Sequence, residues 1–250
     1  MIKFNLLDTS FIIHFRRDSE DRVFNLRCIL KYFHTFIEYG ELFVINDDAE
    51  QDPELKNISI EYPNVKLVFL KNCGAYRRTE CFNKTASIST KKVLCFYDTD
   101  TLIKPKYLFE SQNSILNGLI DHAYPYNGMF VDVKKNCRET LANYDFEKLE
   151  SLLLERHLGY DNDDVNVIHT SSVGGIVMIS KEAFSKIGGY NSNFIGWGCE
   201  DVEIERRSKT QNKVGRLQNE DAICWHLRHE NTIRTESDNY KNNINLLYNL

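Results

Sequence analysis

Apolar residues recur along this chain in two rhythms. Short unbroken runs at 10–15 (SFIIHF), 41–47 (ELFVIND), 65–70 (VKLVFL) and 92–100 (KVLCFYDTD) have the length of strands. Between them the spacing turns helical. In 20–39 the apolar residues Val23, Leu26, Ile29, Leu30, Phe33, Phe36 and Ile37 share one stripe, and 76–89 (YRRTECFNKTASIS) predicts a second helix. Strands alternating with helices predict an α/β fold, with a mostly parallel central sheet flanked by helices. The second half is less regular. It predicts a helix over 146–158 and a Gly-led strand within 173–190, followed by a short helix with Ser180 as N-cap and Gly188 as its stop. A further helix is predicted over 199–210, and a last one in the tail TESDNYKNNINLLYNL. No repeat or low-complexity linker divides the chain, so one domain over 1–250 is expected.

Composition narrows what such a domain does. The 250 residues suffice for a sizeable core, and the net charge of −5 carries no nucleic-acid signature. The absence of an 18-residue apolar run argues against a spanning helix and leaves peripheral membrane association open. The N-terminus, interrupted by Asp8, does not read as a signal peptide. Seven Cys without a CxxC pair read as free thiols in a reducing compartment. The expected location is cytoplasmic.

Ligands of parallel sheets sit beyond the carboxyl ends of the strands. Three predicted strands end there in charge: Arg16 and Arg17, Asp47 and Asp48, Asp98 and Asp100. Asp98 and Asp100 form a DxD, which reads either as a solvated acidic turn or as oxygen ligands for Mg²⁺ or Mn²⁺. His226 and His229, three apart, could meet at one metal in a helical or turn segment. With strand geometry they would face opposite sides, one packed and one exposed. Arg77 and Arg78 open a predicted helix and read as a phosphate clamp or a solvated face. In GGYNSNFIGWGCEDVEIERR (188–207), Trp197 lies between glycines, directly before Glu200 and Asp201. Either the indole stands open in a cleft with a carboxylate base beside it, or this is a helix cap with a core Trp.

Taken in order, these segments resemble GT-A glycosyltransferases, nearest to the branch of the animal β4-galactosyltransferases and the bacterial chondroitin-type polymerases. GWGCEDVE is similar to that family's Gly-Trp-Gly-x-Glu-Asp signature, FYDTD to its DxD, HLRH to its C-terminal metal ligands, and FIIHFRRDSEDRVFNL to its opening nucleotide-binding strand. The resemblance implies a nucleotide-binding half over 1–100 and an acceptor-binding and catalytic half over 101–250. It implies that Phe15, Arg16 and Arg17 surround a uridine diphosphate, that Asp47 or Asp48 reads the uracil edge, and that Tyr76, Arg77 and Arg78 contact base and phosphates. Asp100, His226 and His229 would bind Mn²⁺ or Mg²⁺, with Asp98 nearer the ribose or sugar. Gly174, Gly175, Trp197 and Gly198 would line the sugar pocket. Glu200 would hold a sugar, and Asp201, with the ordinary basicity of an exposed carboxylate, would be the base. The implied reaction is inverting transfer from a UDP-sugar to a glycan acceptor. Two rival readings are a metal-dependent phosphoester or nucleotide-sugar hydrolase and a non-catalytic sugar-nucleotide-binding module. The chain departs from the family at His14, where the family has Pro, and at Val202, where the animal enzymes have an acid that contacts an acceptor N-acetyl group. The sequence shows no anchor or stem, so a Golgi setting is not expected.

Overall fold

The computed structural model describes residues 3–159, 163–229 and 237–249. The first half alternates as the apolar rhythm predicts: β1 (Phe4–Phe15), α1 (Glu20–Phe36), β2 (Ile37–Asp48), α2 (Pro53–Glu61), β3 (Val65–Lys71), α3 (Arg78–Ile88) and β4 (Val93–Asp98). α1 ends before the predicted 39 because β2 takes over at Ile37 without a loop. α2 was not foreseen. Asp52 starts it by accepting from the Glu54 N–H, and Pro53 occupies its first turn, where no donor is lost. The second half runs β5 (Thr101–Leu102), α4 (Pro105–Leu116), β6 (His122–Tyr124), β7 (Phe130–Val133), α5 (Arg138–Ala142), α6 (Phe146–His157), β8 (Val165–His169), β9 (Ile176–Ser180), α7 (Lys181–Lys186), α8 (Glu200–Gln211), β10 (Val214–Arg216), β11 (Cys224–Leu227) and α9 (Asp238–Tyr248). Ser180 caps α7 by accepting from the Ala183 N–H, and Gly188 turns the chain away at a φ of 77°.

Seven strands form the central sheet in the order β10-β6-β9-β4-β1-β2-β3. β1 to β4 are mutually parallel, as expected. β9 is the exception and runs against both β4 and β6. The chain enters β9 at the edge where β4 leaves the sheet, with the Asp98 N–H donating to the Gly175 carbonyl at 2.8 Å, so it can only run back. A second sheet, β5-β11-β7-β8, stands beyond that edge and was not foreseen, because its strands are two to five residues long.

Both faces of the central sheet are buried, which explains the unbroken apolar runs. Along β1, Phe11, Ile13 and Phe15 join one core cluster with α1 residues Leu26, Ile29 and Phe33. Ile12 faces the other way, into a second cluster with Cys81 and Phe82 of α3. β4 alternates likewise, with Cys95 and Tyr97 on the α1 side and Leu94 and Phe96 on the α3 side. Parity therefore carries His14 and Asp98 toward α3 and turns Phe15 into the α1 core.

Candidate functional site

At the carboxyl edge of β1 and β4 lies a cleft of about 760 Å³. Its walls include His14, Arg22, Tyr76, Arg78, Asp98, Asp100, Gly174, Trp197, Glu200, Asp201, His226 and His229. Arg78, the first residue of α3, is buried at its centre. One guanidinium nitrogen donates to Glu200 Oε1 at 2.9 Å and to Asp201 Oδ2 at 3.3 Å, and the other donates to Asp98 Oδ1 at 2.5 Å. The guanidinium carbon lies over the Phe82 ring, 5.0 Å from its centroid. Three carboxylates around one guanidinium do not balance in charge. Burial pushes Asp98 up to about 6, with Arg78 opposing and Asp100 and Asp201 adding. Burial likewise pushes Asp201 up to about 6, against Arg78 and with Glu200 adding.

Asp100 gathers a second group. Arg22 of α1 donates to its Oδ2, and His229 Nε2 and His226 Nε2 stand 3.3 and 3.8 Å from the same atom. Burial alone would raise the Asp100 carboxyl, but Arg22 and the two imidazoles hold it well below the usual range. The histidines converge because β11 ends at Leu227: His226 is on the strand and His229 is past it, where strand alternation no longer applies. Their ring centroids are 5.4 Å apart. His226 is fixed from behind. The parallel pairing of β7 and β11 sets it opposite Asp132, and its Nδ1 lies 2.8 Å from Asp132 Oδ1. Burial pulls the His226 imidazolium down, but hydrogen bonds with Asp100 and Asp132 outweigh it and hold the ring at about 9.

These side chains fit a divalent cation. One oxygen and two nitrogen donors lie within 4.8 Å of one another, a mixed carboxylate and imidazole set of the kind that holds a divalent ion. Asp132 accepts from His226 Nδ1 and turns Nε2 into the group, as second carboxylates do behind metal-bound imidazoles, where a cation would displace the Nε2 proton. Arg22 supplies part of the same positive charge at Asp100. Asp132→Asn is expected to weaken Mn²⁺ binding by roughly 10–100-fold, read by calorimetry. Unchanged affinity would mean that Asp132 does not orient His226 for a cation.

The segment before α8 shapes the far wall. Trp197 is 41% exposed, and its ring stacks on Tyr240 of α9 with centroids 5.4 Å apart. Gly198 has a φ of 100°, and a Cβ there would lie 2.8 Å from the Tyr240 ring. The glycine thus answers both a left-handed backbone and an aromatic neighbour. Asn243 of α9 bolts the turn in place, donating to the Ile195 and Gly198 carbonyls at 3.0 and 3.1 Å. Across the cleft a Cβ on Gly174 would lie 2.6 Å from Asp201 Oδ2. Asp201 lies in the first turn of α8, where the helix dipole favours carboxylates. Its Oδ1 is buried with no hydrogen-bond partner among the described residues.

Six residues singled out in the sequence lie off this cleft. Phe15 is in the core by strand parity. Arg16 donates to the Gly74 carbonyl at 3.0 Å, and Arg17 pairs with Glu20 and Asp52. Asp47 is buried and takes hydrogen bonds from Asn72 and the Arg77 N–H, with His14 Nε2 3.3 Å away. Asp48 accepts from the Ala49 N–H, and the Arg77 side chain turns to Glu80. Tyr76, Gly175 and the others line the cleft. Sequence reasoning missed Arg22, Asp132, Tyr240 and Asn243. Arg22 lies on the buried stripe of α1, four residues before Leu26 and seven before Ile29, and a charge at that place in an apolar stripe is the signal that could have marked it. The other three reach the site only through long-range pairing and packing.

A family model described as "Glycosyltransferase like family 2" matches residues 10–233. No curated protein matches the chain by sequence. Among solved structures the chain is similar to S. aureus TarS 1-349, with a TM-score of 0.59 and 11% identity over 96% of this chain and 64% of that one. It is similar also to S. aureus TarS 1-349 in complex with UDP-GlcNAc, with a TM-score of 0.61 and 11% identity over 96% and 65%. The chain therefore spans just under two thirds of these structures, and the likeness is one of GT-A fold. No described helix is long and apolar enough to cross a membrane.

Proposed function

The chain belongs to glycosyltransferase like family 2, and from that premise we propose that it catalyses inverting transfer of a hexose or N-acetylhexosamine from a UDP-sugar to a glycan hydroxyl. Its branch would be that of the β4-galactosyltransferases and chondroitin-type polymerases. Asp201 carries this reading: a cleft carboxylate with Oδ2 held by Arg78 and Oδ1 unpartnered, close to the open indole of Trp197. A base needs an oriented carboxylate with one oxygen free for the incoming proton. With its basicity raised by burial, Asp201 is a better base than the ordinary exposed carboxylate expected from sequence.

The acceptor hydroxyl gives its proton to the Asp201 carboxylate as its oxygen attacks the anomeric carbon, and the bond to the diphosphate breaks on the opposite face. Trp197 packs the sugar's C–H face, and Glu200 and Asp98, both held by Arg78, accept its hydroxyls or those of the ribose. Arg22 and Arg78 supply fixed positive charge toward the diphosphate. A divalent cation held by Asp100, His226 and His229 would offset charge developing on the leaving group. TarS in complex with UDP-GlcNAc supports a UDP-sugar donor. Val202 sets an apolar side chain in the cleft wall where an acid would otherwise meet the acceptor, so the acceptor differs from that of the animal enzymes.

The test is UDP release from UDP-galactose, UDP-N-acetylgalactosamine, UDP-glucose and UDP-N-acetylglucosamine, with manganese or chelator, and with or without a panel of sugar acceptors. One donor should release UDP in an acceptor- and manganese-dependent way. Release that ignores the acceptor would point to a hydrolase, and none at all, despite UDP binding, to a binding module.

A further inference from the structure

Two acceptors on the cleft wall are buried with no hydrogen-bond partner among the described residues: Asp201 Oδ1 and His14 Nδ1. The first has a use as the base. The second does not enter the transfer chemistry. His14 Nε2 lies 3.3 Å from Asp47 Oδ2. A carboxylate only accepts, so Nε2 carries the hydrogen and Nδ1 keeps its lone pair. Burial pulls the imidazolium down, and the bond with Asp47 does not restore it, so the ring is neutral. The two ring nitrogens face apart, and Nδ1 thus points away from Asp47. The Tyr76 ring stands edge-on to His14 at 4.5 Å, and both residues line the cleft.

Asp47 is buried behind His14 and does not line the cleft, and Asn72, at 2.7 Å, and the Arg77 N–H, at 3.0 Å, already donate to it. Cys81 lies close to both His14 and Asp47, but burial pushes its thiol far up, so the trio lacks the thiolate a metal would need. What remains is a neutral acceptor beside an aromatic ring, held in one tautomer. An orphaned buried acceptor is a cost to the fold unless a ligand supplies the donor. The ligand edge that offers a single N–H on a flat ring is the imide of uracil, since cytosine presents an acceptor at the same place.

We propose that His14 Nδ1 accepts a hydrogen bond from the N3–H of the donor's uracil, with Asp47 behind the ring fixing the tautomer that makes this nitrogen an acceptor. The inference rests on the UDP-sugar reading above and adds the residue that selects the base. Tyr76 packs against the base, and Asp47 acts through His14 rather than on the nucleotide.

UDP, CDP, N3-methyl-UDP and 2′-deoxy-UDP are titrated calorimetrically into the wild-type protein, His14→Phe and His14→Gln. Wild type should prefer UDP to CDP by roughly tenfold or more and lose a similar factor with N3-methyl-UDP. His14→Phe keeps a ring against Tyr76 and should bind UDP and CDP alike. His14→Gln, which can offer an oxygen to the base, should retain part of the preference. A full UDP preference in His14→Phe, or equal wild-type affinity for UDP and N3-methyl-UDP, would overturn the assignment. So would a 2′-deoxy penalty that His14→Phe abolishes while the base preference persists. Should the variants fail to fold, the N3-methyl arm on wild type decides alone. Wild type that binds no UDP would remove the UDP-sugar reading itself, whereas UDP-dependent turnover without base preference would remove only the role of His14.

Discussion

Asp201→Asn is expected to lower kcat by about 10²–10⁴-fold while UDP binding is unchanged. The substitution keeps the shape of the side chain and an oxygen for Arg78 but removes the basic lone pair. Because Oδ1 is buried and unpartnered, no neighbouring group is poised to replace it. The pH profile gives an independent reading. A carboxylate whose pKa is raised to about 6 is the active, ionised base above that pH and is protonated below it. Wild-type kcat/KM should therefore fall as pH drops through about 6, and not near the ordinary aspartate value of about 3.9. An acid limb near 4, or turnover surviving in the Asn variant, would assign the base elsewhere.

Asp100→Ala combined with His229→Ala is expected to abolish both manganese binding by calorimetry and any response of activity to manganese or chelator. Two of the three convergent donors are then gone, and His226 alone does not hold a divalent ion. Arg22 complicates the alanine. Losing Asp100 leaves that buried guanidinium to Asp18 at 3.5 Å, and breaking a buried pair costs about 3–5 kcal/mol. Asp100→Asn with His229→Ala keeps a partner for Arg22 while removing the charge. Thermal unfolding of the two double variants separates the effects: metal binding should vanish in both, and stability should fall mainly in the alanine. Unchanged manganese stimulation in the folded Asn variant would rule out this cluster as the cation site.

The contrast between Asp98 and Asp100 shows where sequence reasoning stops. In an extended strand two residues at that spacing would share one face. The strand ends at Asp98, so the two carboxylates part: one joins Arg78 and α8, the other Arg22 and the histidines. The histidine pair goes in the opposite direction, from open to joined. Spacing left it undecided between convergence and opposite faces, and the end of β11 at Leu227 brings both rings to Asp100. Arg16 and Arg17 follow the end of β1 and Arg77 opens α3, as expected, yet local acids and a carbonyl take their guanidinium groups. A long side chain reaches any partner within several ångströms, and a motif does not say which.

The sequence by itself determined the α/β alternation, the strand edge at which the charged candidates gather, and the helices within 76–89 and 199–210, whose starts the structure sets at Arg78 and Glu200. These follow from apolar periodicity, caps and glycines, which act over a few residues. The tertiary structure alone decided that β9 runs backwards, that Asp132 stands behind His226, that α9 holds the Trp197 turn and that Arg78 binds three carboxylates from distant segments. Each of these depends on which elements meet across tens to more than a hundred residues. Burial, which only the packed molecule has, then sets the basicity of Asp201 and leaves His14 with a lone pair to give.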